Sequence, residues 1–247
     1  MLFRSCYPLW IAPFGDGWII NNGGASVAQV EADGTCTDLV DFSETDYGVW
    51  GVATSTDGKI YATSVDGLWE IGEDGSSTEL ASWTVDFEDP SKHEAAITQV
   101  SVDAATHKVG LFDYFGGFAT WDEASGFQIF LKGDYEAPVL VTTSGTVQDG
   151  GRYYALANDT QTGSAGIYSF DLSNNSWSVR DTWSNSSYTP NLMTIDSDSG
   201  DAYVTANGGW YATVWRVVAG RNYAATLYMT NGKEEGRPYY GILPLYE

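Results

Sequence analysis

Residues 49–83 read VWGVATSTDGKIYATSVDGLWEIGEDGSSTELASW. Four short β-rich runs in this segment are separated by three Asp-Gly pairs, which are Asp57-Gly58, Asp66-Gly67 and Asp74-Gly75. Asp-Gly pairs supply the positive φ angles that tight hairpins require. The segment therefore predicts a small antiparallel sheet of four strands.

Two of these runs recur along the whole chain. Their central residues are separated by roughly 40–50 residues, which is the spacing of four-stranded propeller blades. Because both runs recur independently with this spacing, the recurrence is not a coincidence of composition. The second run recurs as Trp18-Ile19-Ile20, Ile60-Tyr61-Ala62, Val109-Gly110-Leu111, Tyr153-Tyr154-Ala155 and Ala202-Tyr203-Val204, and the third as Ser26-Val27-Ala28, Leu68-Trp69-Glu70, Phe118-Ala119-Thr120, Ile167-Tyr168-Ser169 and Val214-Trp215-Arg216.

The repeat predicts an all-β fold, a single five-bladed β-propeller of four-stranded antiparallel blades. A sheet that is apolar on both faces cannot bury itself alone, but blades packed around an axis bury one another. The alternative is a pair of β-sandwiches. We expect residues 231–247 to form a C-terminal closing strand or a docking arm. The blades are expected at about 5–48, 49–96, 97–138, 139–190 and 191–230.

The motif Asp57-Gly58-Lys59-Ile60-Tyr61, followed by Gly67-Leu68-Trp69-Glu70-Ile71, resembles the blades of NHL and SMP-30-like propellers. The resemblance covers the repeat over most of the chain and implies architecture. SMP-30-like lactonases hold a divalent metal at the channel with Glu, Asn and Asp, and five-bladed glycosidases place acidic residues there. The predicted innermost strands carry no carboxylate or histidine, so we expect no enzyme and no required cofactor; these strands are 9–12, 49–52, 98–101, 139–142 and 192–195.

The charge balance narrows the class of partner. The 247 residues include 33 acidic and 11 basic side chains, for a net charge of −22. A surface this negative repels phosphates, so nucleic acid is excluded as a partner. Such acidity indicates either a protein kept soluble in concentrated salt or an acidic extracellular or marine protein.

Membrane insertion is also excluded, because no apolar run approaches the roughly 20 residues that span a bilayer. The N-terminal residues 1–8 are a poor secretory signal, with one basic residue and a short apolar stretch broken by Pro8 and Pro13. The composition looks extracellular, yet no export signal is recognisable.

The chain has two cysteines, Cys6 and Cys36. A disulfide between them would close a loop of roughly 30 residues and contribute about 3 kcal/mol. The alternative is two buried thiols that act as small apolar residues.

Carboxylates precede three of the predicted innermost strands. If their loops ring one channel mouth, the carboxylates form an acidic cluster with raised pKa values; otherwise they form a solvated rim. These residues are Asp46, Asp86, Glu88, Asp89, Glu94, Asp134 and Glu136. Both histidines, His93 and His107, are predicted to be exposed turn residues, because neither has the spacing of a metal site.

One local pattern suits calcium. Asp196-Ser197-Asp198-Ser199-Gly200-Asp201 places Asp196, Asp198 and Asp201 in one tight turn, which favours oxygen ligation of Ca²⁺. The alternative is an ordinary Asp- and Gly-rich hairpin.

Several aromatic residues lie in polar surroundings. Such rings stack on sugars, anchor a partner, or cover blade edges. They are Trp177, Trp183, Tyr188, Trp210 and Tyr211. Asn-x-Ser/Thr triplets begin at Asn158, Asn174 and Asn185, and carry little weight without an export signal.

These features favour a non-catalytic structural or adhesion module on the capsid or tail of a virus from a saline or marine habitat. A virus assembles inside its host and is released outside, which reconciles an extracellular composition with the lack of a leader. Its partners are expected to be other virion proteins in a symmetric assembly, with host surface glycans as a further ligand. The alternatives are an extracellular or cell-surface location and a carbohydrate-binding or carbohydrate-hydrolysing propeller.

Overall fold

A computed structural model describes residues 8–43, 48–89, 91–148, 150–184, 189–196, 198–208, 211–218 and 224–231. In this part of the chain, twenty strands form five four-stranded antiparallel sheets. The predicted five-bladed β-propeller is confirmed, and the alternative of two β-sandwiches is wrong. The 231–247 segment, which we expected to close the ring or dock, has only Asn231 among the described residues.

Each blade uses four strands consecutive in sequence, ordered from the axis outwards. Blade 1 contains β1 (Pro8–Phe14), β2 (Gly17–Asn22), β3 (Ser26–Val30) and β4 (Cys36–Asp41). Blade 2 contains β5 (Val49–Thr54), β6 (Ile60–Ser64), β7 (Gly67–Ile71) and β8 (Ser77–Ser82). Blade 3 contains β9 (Ile97–Val102), β10 (Val109–Asp113), β11 (Phe118–Asp122) and β12 (Gly126–Leu131). Blade 4 contains β13 (Leu140–Gln148), β14 (Arg152–Asp159), β15 (Ser164–Asp171) and β16 (Ser176–Ser184). Blade 5 contains β17 (Thr189–Ile195), β18 (Ala202–Gly208), β19 (Tyr211–Val217) and β20 (Ala224–Asn231).

The core lies between consecutive blades. Middle strands such as β6 and β10 are buried throughout, whereas the outer strand β8 is largely exposed. Ile19 of blade 1 packs with Ile60 of blade 2, and Phe118 of blade 3 packs with Tyr153 of blade 4. Burial of these side chains from both faces explains why the sequence columns are apolar without alternation.

The first strands of neighbouring blades contact one another around the axis, as β1 does with β5 and β9 with β13. The first strand of each blade begins at the same end of the channel, and so the loops that connect one blade to the next lie on that face. The hairpins between second and third strands lie there too. The hairpins between first and second strands, and between third and fourth strands, lie on the opposite face. Among the described residues, no helix is long and apolar enough to span a bilayer.

Candidate functional site at the channel mouth

A β-bulge recurs near the beginning of all five first strands. The pairing register slips at Leu9, Trp50, Thr98, Thr143 and Asn191. A bulge leaves one residue out of the ladder and redirects its side chain. Because the five bulges occupy equivalent positions, they form a ring around the axis, and we call this ring the channel mouth.

The mouth encloses a cavity of about 430 Å³. All five bulged residues line it, together with neighbours such as Trp10, Gln99 and Leu192. Tyr114 reaches it from the hairpin between β10 and β11. None of the described lining residues is ionisable apart from the Tyr114 phenol. The volume lies within the range of ligand pockets, and the wall is a mixture of apolar and neutral polar groups.

Three buried polar atoms at the mouth have no hydrogen-bond partner in the described part of the chain. They are Thr98 Oγ1, Thr142 Oγ1 and Asn191 Nδ2. By contrast, the side-chain amide of Asn21 at this end has hydrogen-bond partners, since its Nδ2 donates to the carbonyl oxygens of Val49 (2.7 Å) and Trp50 (2.9 Å). Buried polar groups are normally paired, so three orphans converging on one cavity indicate a place where a bound group completes the hydrogen bonding.

Exposed apolar side chains are concentrated on the mouth face. Of the eight large exposed hydrophobic residues in the described chain, five lie there. Trp50 is 39% exposed and Tyr114 is 41% exposed. A single exposed apolar residue needs no explanation, whereas a group of them around a cavity marks an interaction site. The five are Leu9, Trp50, Phe87, Tyr114 and Val139.

The described members of the predicted acidic set lie in the loops around the mouth but do not line it. The carboxylates of Asp86, Asp89, Glu94 and Asp134 accept backbone amides of these loops. Glu94 Oε2 accepts from the Thr84 amide (2.8 Å), and Asp134 Oδ1 accepts from the Ala137 amide (3.0 Å). The hydrogen bond from Lys92 lowers the pKa of Asp89, so the expectation of raised values is wrong at that residue. Together Asp86, Glu88, Asp89, Glu94, Asp134 and Glu136 form what we call the acidic rim; Asp46 lies outside the described residues.

His93 is not the exposed turn residue that the sequence predicted. It is 2% exposed and lies among Phe87, Phe115 and Tyr135, with ring centroids 5.5–6.1 Å away. His93 Nδ1 accepts from the Asp86 amide at 3.3 Å, and burial lowers the pKa of the imidazole. The aromatic partners come from three separate loops, so no local pattern could reveal this burial.

Asp113 is a buried carboxylate that the sequence analysis missed. It accepts from the backbone amides of Ala96 and Phe115, each at 2.6 Å, and fixes the entry to β9 against the β10–β11 hairpin. Burial raises the pKa of Asp113. The available signal was its position at the end of an apolar strand, where an acidic residue is unexpected unless it caps a turn.

The residues of the predicted calcium turn have protein partners. Asp201 is bound to Arg216, with Oδ2 2.7 Å from Nε, while Asp196 Oδ1 accepts the amides of Asp198 (2.9 Å) and Ser199 (2.8 Å). No three His, Cys, Asp or Glu side chains in the described residues are grouped to hold a metal ion. The turn is an Asp-capped hairpin of the kind that recurs elsewhere in the chain, and the calcium site stays a prediction.

Of the predicted aromatic binding residues, only the side chain of Trp177 lies in the described part of the chain. Trp177 packs against Phe112, Phe118 and Phe170, and its Nε1 donates to Gly116 O at 2.7 Å, so it joins blades 3 and 4. The side chains of Trp183 and Tyr211, and the whole of Tyr188 and Trp210, lie outside the description.

The remaining predicted positions are dispersed. Cys36 lies on β4, but Cys6 is outside the described residues, so the Cys6–Cys36 disulfide stays a prediction. Asn158 is half-buried on β14, Asn174 lies exposed in the β15–β16 turn, and Asn185 is outside the description. His107 occupies a hairpin turn with its side chain 45% exposed, as the sequence predicted.

Comparison with known proteins supports the architecture. No protein-family model matches the sequence, and no curated protein matches it. Kuenenia stuttgartiensis hydrazine synthase matches with a TM-score of 0.64 and 13% identity over 89% of this chain and 65% of that one. A chain of the nidogen/laminin complex matches with a TM-score of 0.56 and 11% identity, over 77% of this chain and 70% of that one. An extracellular domain from B. thetaiotaomicron, described as part of a one component system, matches with a TM-score of 0.58 and 10% identity, over 93% of this chain and 36% of that one. Identities this low show the fold alone: the chain is a five-bladed β-propeller.

Proposed function

We propose that the protein is a non-catalytic structural or adhesion module that docks on a partner protein through its mouth face. The observation that carries the proposal is the ring of bulged residues, where exposed apolar side chains surround an uncharged cavity with three unpaired polar atoms. An apolar centre with a polar edge is the usual anatomy of a protein interface.

The chemistry of the partner follows from the two zones of this face. A neutral side chain that both donates and accepts hydrogen bonds, such as an amide, pairs with Thr98, Thr142 and Asn191 in the cavity. The acidic rim around it favours Lys and Arg on the partner, because complementary charge accelerates and orients association. We therefore propose a basic protein surface that carries one protruding neutral plug.

The location that we propose is the surface of a virus particle from a saline or marine habitat. The partners are then other virion proteins in a symmetric assembly, and an extracellular or cell-surface location remains the alternative. The net charge of −22 supports a saline medium, because salt screens repulsion between exposed carboxylates. We further propose that the blades are of the NHL or SMP-30-like type, on the strength of the residue 57–71 motif.

The test of the docking proposal is incorporation of the protein into particles. Mass spectrometry of purified virions is expected to find the wild-type chain at a fixed ratio to the other coat proteins. Trp50→Ala is expected to lower that ratio at least ten-fold, since truncation of a central interface aromatic typically costs 2 kcal/mol or more. Ile129→Ala, exposed on the outer strand β12, is the matched control and leaves incorporation unchanged. Detection of the chain only in uninfected host cytosol rejects the virion location, and normal incorporation of Trp50→Ala rejects the mouth as the interface.

The second candidate is a carbohydrate-hydrolysing propeller that uses the acidic rim. The observation in its favour is that several rim carboxylates lie on the same face as the cavity. Under this hypothesis, Glu94→Gln or Glu136→Gln abolishes turnover in a glycosidase screen. Under the docking hypothesis the wild type and both variants show no turnover in that screen.

A further inference from the structure

A second cavity, of about 700 Å³, opens on the face opposite the mouth. Hairpins of blades 2, 3 and 4 enclose it, and we call it the hairpin-face pocket. Its wall carries both signs of charge, from Asp57, Lys59, His107, Lys108, Asp122 and Glu123. The mouth, by contrast, has no charged lining residue in the described chain, so the two cavities select different chemistry.

The charged groups of the pocket are paired with one another. Lys59 Nζ lies 2.5 Å from Glu123 Oε1, and this pair joins blade 2 to blade 3. Lys108 Nζ lies 3.3 Å from Asp122 Oδ2, and His107 Nδ1 lies 3.6 Å from Asp57 Oδ1. Each of the two lysines therefore has a carboxylate beside it, and a charged ligand of either sign meets one attractive and one repulsive neighbour at each Lys–carboxylate pair.

Lysines only donate hydrogen bonds, whereas carboxylates only accept them. A hydroxyl group does both, so a ring of hydroxyls can bridge each Lys–carboxylate pair without breaking it. Below these pairs lie Tyr61, Trp121 and Tyr153, which are 1%, 7% and 2% exposed and so belong to the core. Leu172, which is 39% exposed, provides the apolar surface against which the C–H face of a sugar packs.

His107 adopts a left-handed backbone conformation. Its φ is +56°, and its amide donates to Asp103 O at 2.8 Å. The same loop in blade 5, where Gly200 donates to Asp196 O at 2.9 Å, has glycine at the equivalent position with φ +71°. Residues other than Gly adopt this region rarely, although Asn, Asp and His do so more often than the rest. The pocket therefore has an imidazole in its lining where the equivalent turn of blade 5 has no side chain.

We infer that the hairpin-face pocket binds an uncharged, hydroxyl-rich sugar ring, held by the Lys59–Glu123, Lys108–Asp122 and His107–Asp57 pairs beside the apolar side chain of Leu172. The inference stands independently of the mouth. If both hold, one face anchors the propeller and the other presents a glycan site outwards.

The experiment uses the full chain on a printed array of uncharged, sialylated and sulfated oligosaccharides, followed by calorimetric titration of the best uncharged ligand. His107→Gly is the decisive variant, because it removes the imidazole while relieving the backbone. Its melting temperature is expected to be at least that of the wild type, and its affinity at least five-fold lower. Asn175→Gly is the control and keeps wild-type affinity, because Asn175 also has a positive φ but does not line the pocket.

Three results overturn the inference. They are no binding of any uncharged oligosaccharide at millimolar concentration, stronger binding of the sialylated or sulfated set, and full affinity in His107→Gly. Lys108→Gln gives a second reading, since it removes the cation of one pair. The affinity for the titrated sugar is expected to fall at least three-fold, and unchanged affinity contradicts binding in the pocket.

Discussion

Truncation of Phe118 tests whether the aromatic cluster between blades 3 and 4 holds the ring together. Phe118 is 1% exposed, and its ring contacts Phe170 at 4.4 Å and Tyr153 at 4.7 Å between centroids. Further ring neighbours in the cluster are Phe112 at 5.4 Å, Trp177 at 5.8 Å and Phe130 at 6.2 Å. Because rings from two blades surround the side chain, the cavity left by Phe118→Ala cannot collapse without moving one blade.

The expected loss follows from these contacts. A buried Phe→Ala change costs about 3–5 kcal/mol. The rigid aromatic surroundings place the value near the upper end, about 4 kcal/mol. In a chain of this size, that corresponds to a fall in melting temperature of roughly 8–16 °C.

Urea unfolding followed by tryptophan fluorescence measures the change, since Trp177 lies in the same cluster. Ile129→Ala, on the exposed strand β12 of blade 3, is the control and is expected to change stability by at most about 0.5 kcal/mol. A loss in Phe118→Ala below about 1.5 kcal/mol, or an equal loss in both variants, would refute the reasoning that this cluster joins the blades.

Three further predictions concern pH, packing and metal. Burial lowers the pKa of His93, so its contribution to stability is present above its ordinary value of 6.5 and is lost as pH falls below it. The free energy of unfolding is expected to drop less between pH 7 and 5 in His93→Phe than in the wild type, and parallel curves from urea titrations contradict this. Gly145→Ala would place a methyl group 2.2 Å from the buried Phe112 ring, and calorimetry is expected to show a loss of about 2–3 kcal/mol; a loss under 0.5 kcal/mol means that the ring moves easily. Asp196→Ala removes an acceptor of two turn amides, and the free energy of unfolding is expected to fall by about 1 kcal/mol. Addition of about 5 mM CaCl2 is expected to change the wild-type melting temperature by no more than about 1 °C. A larger rise with calcium would support a metal site in this turn.

The fold was predictable because its signal is local and repeated. Ile60 and Leu68, for example, lie in the second and third runs of the repeat, and both are fully buried between blades. Each blade is one supersecondary unit whose strands are adjacent in sequence, so turn pairs and apolar columns suffice to define it. Asp57-Gly58 and Asp74-Gly75 form turns in which the glycine has positive φ, as their sequence indicates.

The site was not predictable in the same way. Tyr114, Trp50 and Asn191 meet at the mouth only because three blades converge on the axis. The bulges that redirect their side chains leave no consistent residue pattern, since the bulged positions hold Leu, Trp, Thr and Asn. Contacts such as Trp177 Nε1 to Gly116 O join residues far apart in sequence, and a single sequence carries no record of them.

The acidity of the chain follows in part from how its hairpins are built. Asp122, Asp159 and Asp196 each accept backbone amides two and three residues further on, and these hydrogen bonds contribute to lowering the pKa of all three carboxyls. The pKa of Asp122 falls to about 2, chiefly through its side-chain hydrogen bond with Ser125. Carboxylates with depressed pKa values contribute stability above their ordinary value of 3.8, and the contribution is lost as pH falls through the folded value.

A carboxylate that caps a turn has a structural reason to be there whatever the medium. The net charge of −22 is therefore weaker evidence for a saline habitat than the bare count indicates, and the discriminating charges are those with no capping role. Glu123 is such a residue: it is 74% exposed and its partner is Lys59 across the blade boundary. Surface pairs of this kind contribute little to stability. The sugar binding that we infer for the hairpin-face pocket would account for Lys59 and His107 lying together on one face of this acidic chain.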